Sequence, residues 1–199
     1  MRAAAFLDRD GVLNELVADP VSGACESPLE VDDVRLIPGA AAAAARLQRA
    51  GFLLVCVSNQ PAAAKGTVSV AQLLAVHERV IGLLAAEGVT LAAWRLCLHH
   101  VHGVVPELAR PCACRKPAPG MLLDAAAALG LDLASSWMVG DTDADIAAGV
   151  AAGCRTLLIR HPGSVHKRLQ AVEPDIVADD LDQGAERLRF RSTETVAEG

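Results

Sequence analysis

Residues 3–11 read AAAFLDRDG, a short apolar run that ends in two carboxylates and a glycine. The run has the length and composition of a strand buried on both faces of a sheet. Similar runs recur along the chain and alternate with helical patterns. The predicted strands are residues 3–7, 52–57, 91–98, 137–139, 155–159 and 175–177; the predicted helices are residues 39–50, 69–87, 119–129, 143–152 and 181–188. This alternation predicts an α/β fold with a parallel sheet covered by helices on both faces.

Polar residues follow four of the predicted strands, where ligands bind in sheets of this kind. Asp8 and Asp10 come directly after the first strand and Asp141 after the fourth. One carboxylate can attack an electrophile while another transfers protons, and together they suit a hard cation such as Mg²⁺. Taken alone, Asp8 and Asp10 could simply form a turn with Gly11, but their placement beside the other clusters favours catalysis.

Ser58 and Lys116 bring a hydroxyl donor and a cation to the same edge of the sheet. Either residue alone is explained as well by a turn cap or an exposed surface charge. A hydroxyl donor and a cation can both bind the oxygens of a phosphoryl group while it is transferred. Catalysis of that transfer consists mostly of positioning and charge stabilisation. Their joint placement with the carboxylates therefore predicts phosphoryl chemistry.

Composition excludes several classes of protein. The chain has 199 residues, which predicts one domain over residues 1–188 followed by a flexible tail over residues 189–199. Hydrophobic residues make up 52% and aromatic residues 3%, and the net charge is -6. These values exclude a disordered chain and a nucleic-acid-binding surface. No apolar run reaches about 18 residues and no signal-peptide pattern is present, so we expect no membrane partner and a cytoplasmic location.

The clusters together resemble the four motifs of the haloacid dehalogenase superfamily of phosphatases. The matching stretches are residues 6–14 (FLDRDGVLN), 57–60 (VSNQ), 115–117 (RKP) and 139–145 (VGDTDAD), and the resemblance extends over about residues 3–159. It implies a Rossmann-like sheet. Only two segments, residues 14–38 and the loop 98–114, are inserted into the core. The chain therefore has no room for a large cap domain over the site.

The resemblance also implies roles for individual residues. Asp8 would be the nucleophile that forms an aspartyl-phosphate, and Asp10 would be the general acid and base. Mg²⁺ would be bound by Asp8, the backbone carbonyl of Asp10 and Asp141, with Asp145 acting on the lysine or on a metal-bound water. The residues predicted to bind phosphate or substrate are Ser58, Asn59, Arg115 and Lys116.

A cysteine- and histidine-rich stretch precedes the third motif. Cys97, His99, Cys112 and Cys114 provide three thiolates and one imidazole, the ligand set of a closed structural Zn²⁺ site. His100 and His102 are rival ligands, and buried cysteines without metal are the alternative. Zn²⁺ would pin the loop 98–114 and so help to place the lysine that follows it.

The pattern C-x-H…C-x-C-R-K-P-x-P-G-M resembles the branch of D-glycero-D-manno-heptose 1,7-bisphosphate 7-phosphatases, and histidinol-phosphate phosphatases share closely similar motifs. The resemblance therefore implies removal of a phosphate from a small phosphorylated metabolite. Other small sugar phosphates are alternative substrates, and an inactive zinc-binding interaction module is the alternative outside enzymes. A monomer is expected for a small chain with a minimal cap.

Overall fold

The apolar runs form six parallel strands, and two further short strands form a hairpin. The computed structural model describes residues 2–18, 23–169 and 172–194, and residues 189–194 only as backbone. The eight strands are β1 (Ala4–Leu7), β2 (Val17–Ala18), β3 (Cys25–Glu26), β4 (Leu53–Asn59), β5 (Ala93–Cys97), β6 (Trp137–Gly140), β7 (Arg155–Ile159) and β8 (Ile176–Ala178). The parallel strands lie in the order β5-β4-β1-β6-β7-β8.

Five helices cover both faces of this sheet. They are α1 (Ala40–Arg49), α2 (Val70–Ala86), α3 (Gly120–Leu129), α4 (Asp143–Ala152) and α5 (Leu181–Glu194). The side chains of β1 alternate between two cores, as a strand period of two requires. Leu7 belongs to the core that includes residues of α1, α2 and α5, whereas Phe6 belongs to the core that includes residues of α3 and α4. The predicted α/β fold with helices on both faces is confirmed.

Most predicted boundaries agree with the structure to within two residues. The N-terminus of α2 shows the predicted cap, in which the Ser69 hydroxyl accepts a hydrogen bond from the Gln72 backbone N–H at 3.1 Å. Helix α5 extends to Glu194, beyond the predicted end at Leu188, and residues 195–199 of the predicted tail lie outside the described residues. Within the described ranges, no helix has the length and apolar character needed to cross a bilayer.

The insertion after β1 contains a small hairpin that the sequence analysis did not predict. Strands β2 and β3 pair antiparallel, and a short 3-10 helix over Val31–Asp33 follows them. The hairpin packs on a second 3-10 helix, Pro162–Lys167, so closely that a Cβ at Gly163 would lie 3.0 Å from the Cys25 Cβ. These two elements form one wall above the carboxyl ends of the strands.

Candidate active site

The carboxyl ends of β1, β4 and β6 open into a cavity of about 340 Å³. The segment before α3 and the N-terminus of α4 complete its floor. The structure brings all eight residues predicted for phosphate chemistry to this cavity: Asp8, Asp10, Ser58, Asn59, Arg115, Lys116, Asp141 and Asp145. Residues that are far apart in the sequence meet here because parallel strands all end at the same edge.

Lys116 joins two of the carboxylates. Its Nζ lies 2.9 Å from Asp8 Oδ1 and 2.6 Å from Asp145 Oδ1, and it donates a hydrogen bond to the Val57 carbonyl at 2.8 Å. Burial alone would lower the pKa of Lys116, but Asp145 and Asp8 outweigh burial and raise the pKa above its ordinary value. The lysine is therefore charged at neutral pH.

Three carboxylates crowd around this single cation. Asp8, Asp141 and Asp145 each place an oxygen within 4.8 Å of the others. Burial raises the pKa of Asp8 to about 6, with the charges of Asp145 and Asp10 adding to the effect. Burial and the charges of Asp8 and Asp145 raise the pKa of Asp141 to about 8. Such a surplus of buried negative charge, carried by oxygen ligands, fits a hard divalent cation such as Mg²⁺.

Two glycines allow the carboxylates to come this close. Gly11 adopts φ +83°, and a Cβ there would lie 2.2 Å from Asp141 Oδ2. A Cβ at Gly140 would lie 2.1 Å from the Cβ of Asp145. Any larger residue at either position would push a carboxylate out of the cluster.

Asp10 sits in a separate network of donors. Its Oδ1 accepts hydrogen bonds from Arg9 Nε at 3.1 Å and Asn14 Nδ2 at 2.9 Å, and its Oδ2 accepts from Ser27 Oγ at 2.9 Å and Gln60 Nε2 at 2.6 Å. Burial would raise the pKa of Asp10, but the Arg9 guanidinium and the hydrogen bonds from Asn14 and Ser27 lower it. The Asp10 side chain thus lies outside the cluster of Asp8, Asp141 and Asp145. The contact of the Asp10 backbone carbonyl with Mg²⁺ stays a prediction.

The end of β4 supplies a hydroxyl and an amide. Ser58 Oγ accepts a hydrogen bond from Gln60 Nε2 at 3.0 Å, which leaves its own proton free to donate into the cavity. The amide of Asn59 donates to the Lys116 carbonyl at 2.9 Å and accepts from the Lys116 N–H at 3.0 Å. Asn59 was predicted to bind phosphate or substrate, whereas these contacts favour positioning of Lys116.

Three further cations line the cavity. Arg115 directly precedes Lys116 in the sequence, and its guanidinium donates to the His99 carbonyl at 3.3 Å. Lys65 and Lys167 line the same cavity, and Lys167 Nζ lies 3.3 Å from Glu26 Oε2 of the hairpin. None of the three forms an ion pair with Asp8, Asp141 or Asp145 in the described structure.

Sequence reasoning missed several of these residues. Gln60 lies inside the matched second motif, so its position was a usable signal. Ser27 follows the short strand β3 and Lys167 ends the second 3-10 helix, and both reach the cavity only through the tertiary fold. Ser164 was also missed; it is buried, and its hydrogen bond to Asp141 helps to hold down the pKa of that carboxyl.

The cysteine and histidine side chains form a compact cluster on the loop before Lys116. The sulfur–sulfur distances are 3.6 Å for Cys97–Cys112, 3.2 Å for Cys97–Cys114 and 3.3 Å for Cys112–Cys114. His99 Nδ1 lies 3.4 Å from the Cys114 sulfur. Four ligands about 2.0–2.3 Å from a tetrahedral Zn²⁺ would be separated by similar distances. The donor set and spacing therefore fit Zn²⁺.

The structure distinguishes among the three candidate histidines. Only His99 lies with the three sulfurs among the described residues that could hold a metal. The rings of His100 and His102 pair with one another instead, with centroids 5.7 Å apart. All three cluster cysteines are free thiols.

Comparison with known proteins agrees with this geometry. A family model described as HAD-hydrolase-like matches residues 113–184. The chain is 39% identical over 160 residues to D-glycero-beta-D-manno-heptose-1,7-bisphosphate 7-phosphatase of Yersinia pestis, covering 80% of this chain and 81% of that protein. The corresponding enzyme of Escherichia coli K12 is also 39% identical over 160 residues, covering 80% of each chain.

A solved structure extends the similarity to nearly the whole chain. The D,D-heptose 1,7-bisphosphate phosphatase of B. bronchiseptica, complexed with magnesium and phosphate, superimposes with a TM-score of 0.78 at 32% identity, covering 96% of this chain and 99% of that one. Because the named relatives are phosphatases, the non-catalytic alternative is set aside. The chain belongs to the D-glycero-beta-D-manno-heptose-1,7-bisphosphate 7-phosphatase family of the haloacid dehalogenase-like phosphatases.

Proposed function

We propose that this phosphatase removes the 7-phosphate of D-glycero-β-D-manno-heptose 1,7-bisphosphate through an aspartyl-phosphate formed on Asp8. The observation that carries the proposal is the contact of one buried lysine, Lys116, with both Asp8 and Asp145 at the floor of an open cavity. A phosphoryl group entering there meets a nucleophilic oxygen and a fixed cation at the same point.

In the first step an Asp8 carboxylate oxygen attacks phosphorus, and the bond from phosphorus to the sugar oxygen breaks. Asp10 donates a proton to that leaving oxygen, which departs as the alcohol. The structure holds Asp10 ionised against Arg9. The negative charge of an incoming phosphate favours proton uptake by a neighbouring carboxylate, so Asp10 can act as an acid once substrate is bound.

In the second step water attacks the phosphorus of the aspartyl-phosphate, and the bond between phosphorus and Asp8 breaks. Asp10, ionised after the first step, accepts a proton from the attacking water. Lys116 and the Ser58 hydroxyl bind the oxygens of the phosphoryl group in both steps, and inorganic phosphate leaves. Free Asp8 carboxylate is restored.

Asp8, Asp141 and the Asp10 carbonyl would hold Mg²⁺, which stabilises charge on the phosphoryl oxygens when bound. Asp145 acts on Lys116, with which it forms the shorter of the lysine's two ion pairs. Cys97, His99, Cys112 and Cys114 would hold Zn²⁺ in a structural role, because their four donors close a tetrahedron and leave no position for substrate. The zinc-bound loop would then fix Arg115 and Lys116.

The cations at the cavity rim support a bisphosphate as substrate. Arg115, Lys65 and Lys167 lie around the cavity without forming ion pairs with its metal-site carboxylates. A substrate with a second phosphate would give these positive groups a partner at a distance from the reacting one. A monophosphate would use only the floor of the cavity.

The test is a comparison of kcat/KM among heptose 1,7-bisphosphate, histidinol phosphate and a panel of sugar monophosphates, with Mg²⁺ present. We expect the bisphosphate to be preferred by at least about tenfold, since a fully bound second phosphate contributes more than 1.4 kcal/mol. Equal or better turnover of histidinol phosphate would contradict the substrate assignment. Asp8→Asn should abolish phosphate release while its far-UV circular dichroism remains that of the parent, and normal turnover in this variant would refute the covalent mechanism.

A further inference from the structure

The side chain of Gln60 has no role in the mechanism described so far, although it contacts two of the groups that carry out the reaction. Gln60 directly follows β4 and is 1% exposed. Its Nε2 donates to Asp10 Oδ2 at 2.6 Å and to Ser58 Oγ at 3.0 Å. An ionised carboxylate only accepts hydrogen bonds, so the nitrogen of the amide, and not its oxygen, must face Asp10. The partner therefore fixes the orientation of the Gln60 amide.

The amide nitrogen of Gln60 has two hydrogens, and its two acceptors use both of them. One hydrogen bond goes to the carboxylate of Asp10 and the other to the hydroxyl of Ser58. Because a lone pair of Ser58 Oγ is occupied in this way, the hydroxyl proton is directed to a different acceptor, and the phosphoryl oxygens of a bound substrate provide one. Gln60 thus makes Ser58 a donor toward the cavity.

Gln60 differs from the other donors to Asp10 in the part of the chain that supplies it. Arg9 and Asn14 belong to the same turn as Asp10, so they fix the carboxylate only relative to its own turn. Ser27 donates from the inserted segment that follows β3. Gln60 connects the carboxylate of Asp10 to the end of β4, the strand that also carries the serine hydroxyl.

The backbone of Gln60 is anchored separately from its side chain. Its N–H donates to the Cys97 carbonyl at 2.7 Å, at the end of the neighbouring strand β5. A long side chain loses rotamer freedom when it is ordered, and a fixed backbone at its base limits the motion that remains. Both hydrogen bonds of the amide therefore start from a fixed point of the central sheet.

We propose that Gln60 is a positioning residue that sets the spacing between the hydroxyl of Ser58 and the carboxylate of Asp10. In a phosphate ester, the oxygen that Ser58 binds and the leaving oxygen that Asp10 protonates are attached to the same phosphorus. The two protein groups must therefore be held at one mutual distance if both contacts are to form in the transition state. This inference rests on the proposed function, which assigns those two roles to Ser58 and Asp10.

The test uses Gln60→Met, which keeps the length and approximate volume of the side chain but removes both donors. Loss of the contact with Asp10 should slow the release of a poor leaving group, such as an alkoxide, more than that of p-nitrophenolate, which needs little protonation. Loss of the contact with Ser58 should weaken the binding of inorganic phosphate, measured as a competitive inhibitor with Mg²⁺ present.

Gln60→Met should change both measurements. We expect kcat for an alkyl phosphate to fall at least about tenfold more than kcat for p-nitrophenyl phosphate. The inhibition constant of inorganic phosphate should rise by about 3–10-fold, which corresponds to the loss of one hydrogen bond. A change in only one of the two measurements, or in neither, would overturn the proposal, because Gln60 would then not link the two groups. If Gln60→Met does not fold, as judged by circular dichroism, the isosteric Gln60→Glu decides by the same two measurements.

Three further variants separate this proposal from the function on which it rests. Val55→Ala removes a buried apolar side chain from the same strand, so it should reduce stability and change neither measurement. Ser58→Ala should weaken phosphate inhibition without changing the ratio of the two kcat values, whereas Asp10→Asn should change that ratio. If Asp10→Asn leaves the ratio unchanged, or Ser58→Ala leaves phosphate inhibition unchanged, the role assigned to that residue fails, and the proposed function is refuted rather than the contacts of Gln60.

Discussion

The side-chain amide of Asn59 brackets the backbone of Lys116, donating to its carbonyl at 2.9 Å and accepting from its N–H at 3.0 Å. The two residues are 57 positions apart in the chain. The contact ties the end of β4 to the segment that carries Lys116, the lysine that we propose binds phosphate. It explains how Lys116, which lies in no helix or strand, is held at a fixed distance from Asp8.

Asn59→Ala should therefore lower activity by displacing Lys116. We expect a loss of about 1–3 kcal/mol in the free energy of unfolding and about a 10–100-fold decrease in kcat/KM. Asn59→Asp keeps the acceptor and loses the donor, so its activity should be intermediate. Denaturant titration measures the change in stability and steady-state kinetics measure the change in kcat/KM. Full activity in Asn59→Ala would show that the two hydrogen bonds to Lys116 are not needed to position it.

Gly11→Ala should disrupt the metal site, because the new Cβ would collide with the Asp141 carboxylate. Gly39 provides a matched control, since its φ of +82° is nearly the +83° of Gly11 and a Cβ there would meet nothing within 4 Å. Both variants carry the backbone penalty of about 1–2 kcal/mol. Only Gly11→Ala should also weaken Mg²⁺ binding, by at least about tenfold in a calorimetric titration.

The stability of the metal-free protein should fall as pH rises from about 4 to about 8. The carboxyl pKa values rise from the ordinary 3.8 to about 6 for Asp8 and about 8 for Asp141. The two carboxyls bind more protons in the folded state than in the unfolded state over this window, and their combined effect exceeds the opposite one of His77, whose pKa burial lowers from 6.5 to about 4. The raised pKa of Lys116 does not oppose this trend, because the lysine is charged in both states below pH 10.5.

Mg²⁺ binds the ionised carboxylates, so its stabilising effect should grow over the same window. Thermal melts near the two ends of the window, with a chelator and with excess Mg²⁺, measure this coupling. A Tm shift on adding Mg²⁺ that is equal at both pH values would contradict the assignment of the buried carboxylates as its ligands.

Cys112→Ser should release the structural metal and reduce activity, because the loop before Arg115 and Lys116 loses its cross-link. Elemental analysis should find about one zinc per chain in the parent protein and much less in the variant. Cys154→Ser is the control, since Cys154 is a buried free thiol directly before β7 and is not among the four candidate metal ligands. Protein that is freshly purified without chelators and contains no zinc would refute the site.

The parallel sheet and the floor of the cavity could be predicted because each depends on local pattern. The apolar run before Asp8 and the polar clusters after the strands were sufficient to place the candidate site residues at one edge of the sheet. The cap of α2 at Ser69 follows from residues three apart, which need no tertiary information.

The remaining features depend on contacts that sequence alone does not specify. The hairpin β2–β3 has only two residues per strand, too few for a periodic signal, and the network around Asp10 draws on Ser27 and Gln60 from separate segments. The sequence favoured His99 as the fourth ligand, but only the structure separates it from the rivals His100 and His102, by placing its ring with the three sulfurs. The extension of α5 to Glu194 runs through a polar segment with little amphipathic pattern.

The contact between α2 and Trp94, whose ring packs edge-on against His77 with centroids 4.8 Å apart, has a practical consequence for optical measurements. The chain contains two tryptophans and no tyrosine, so its intrinsic fluorescence comes from Trp94 and Trp137 alone. Trp94 is 42% exposed and touches α2, whereas Trp137 is 2% exposed and lies in β6 beside β1. Trp137→Phe would leave only the exposed Trp94, whose emission should be red-shifted and would report on its contact with α2. Trp94→Phe would leave only the buried Trp137, whose emission should be blue-shifted and would report on the sheet.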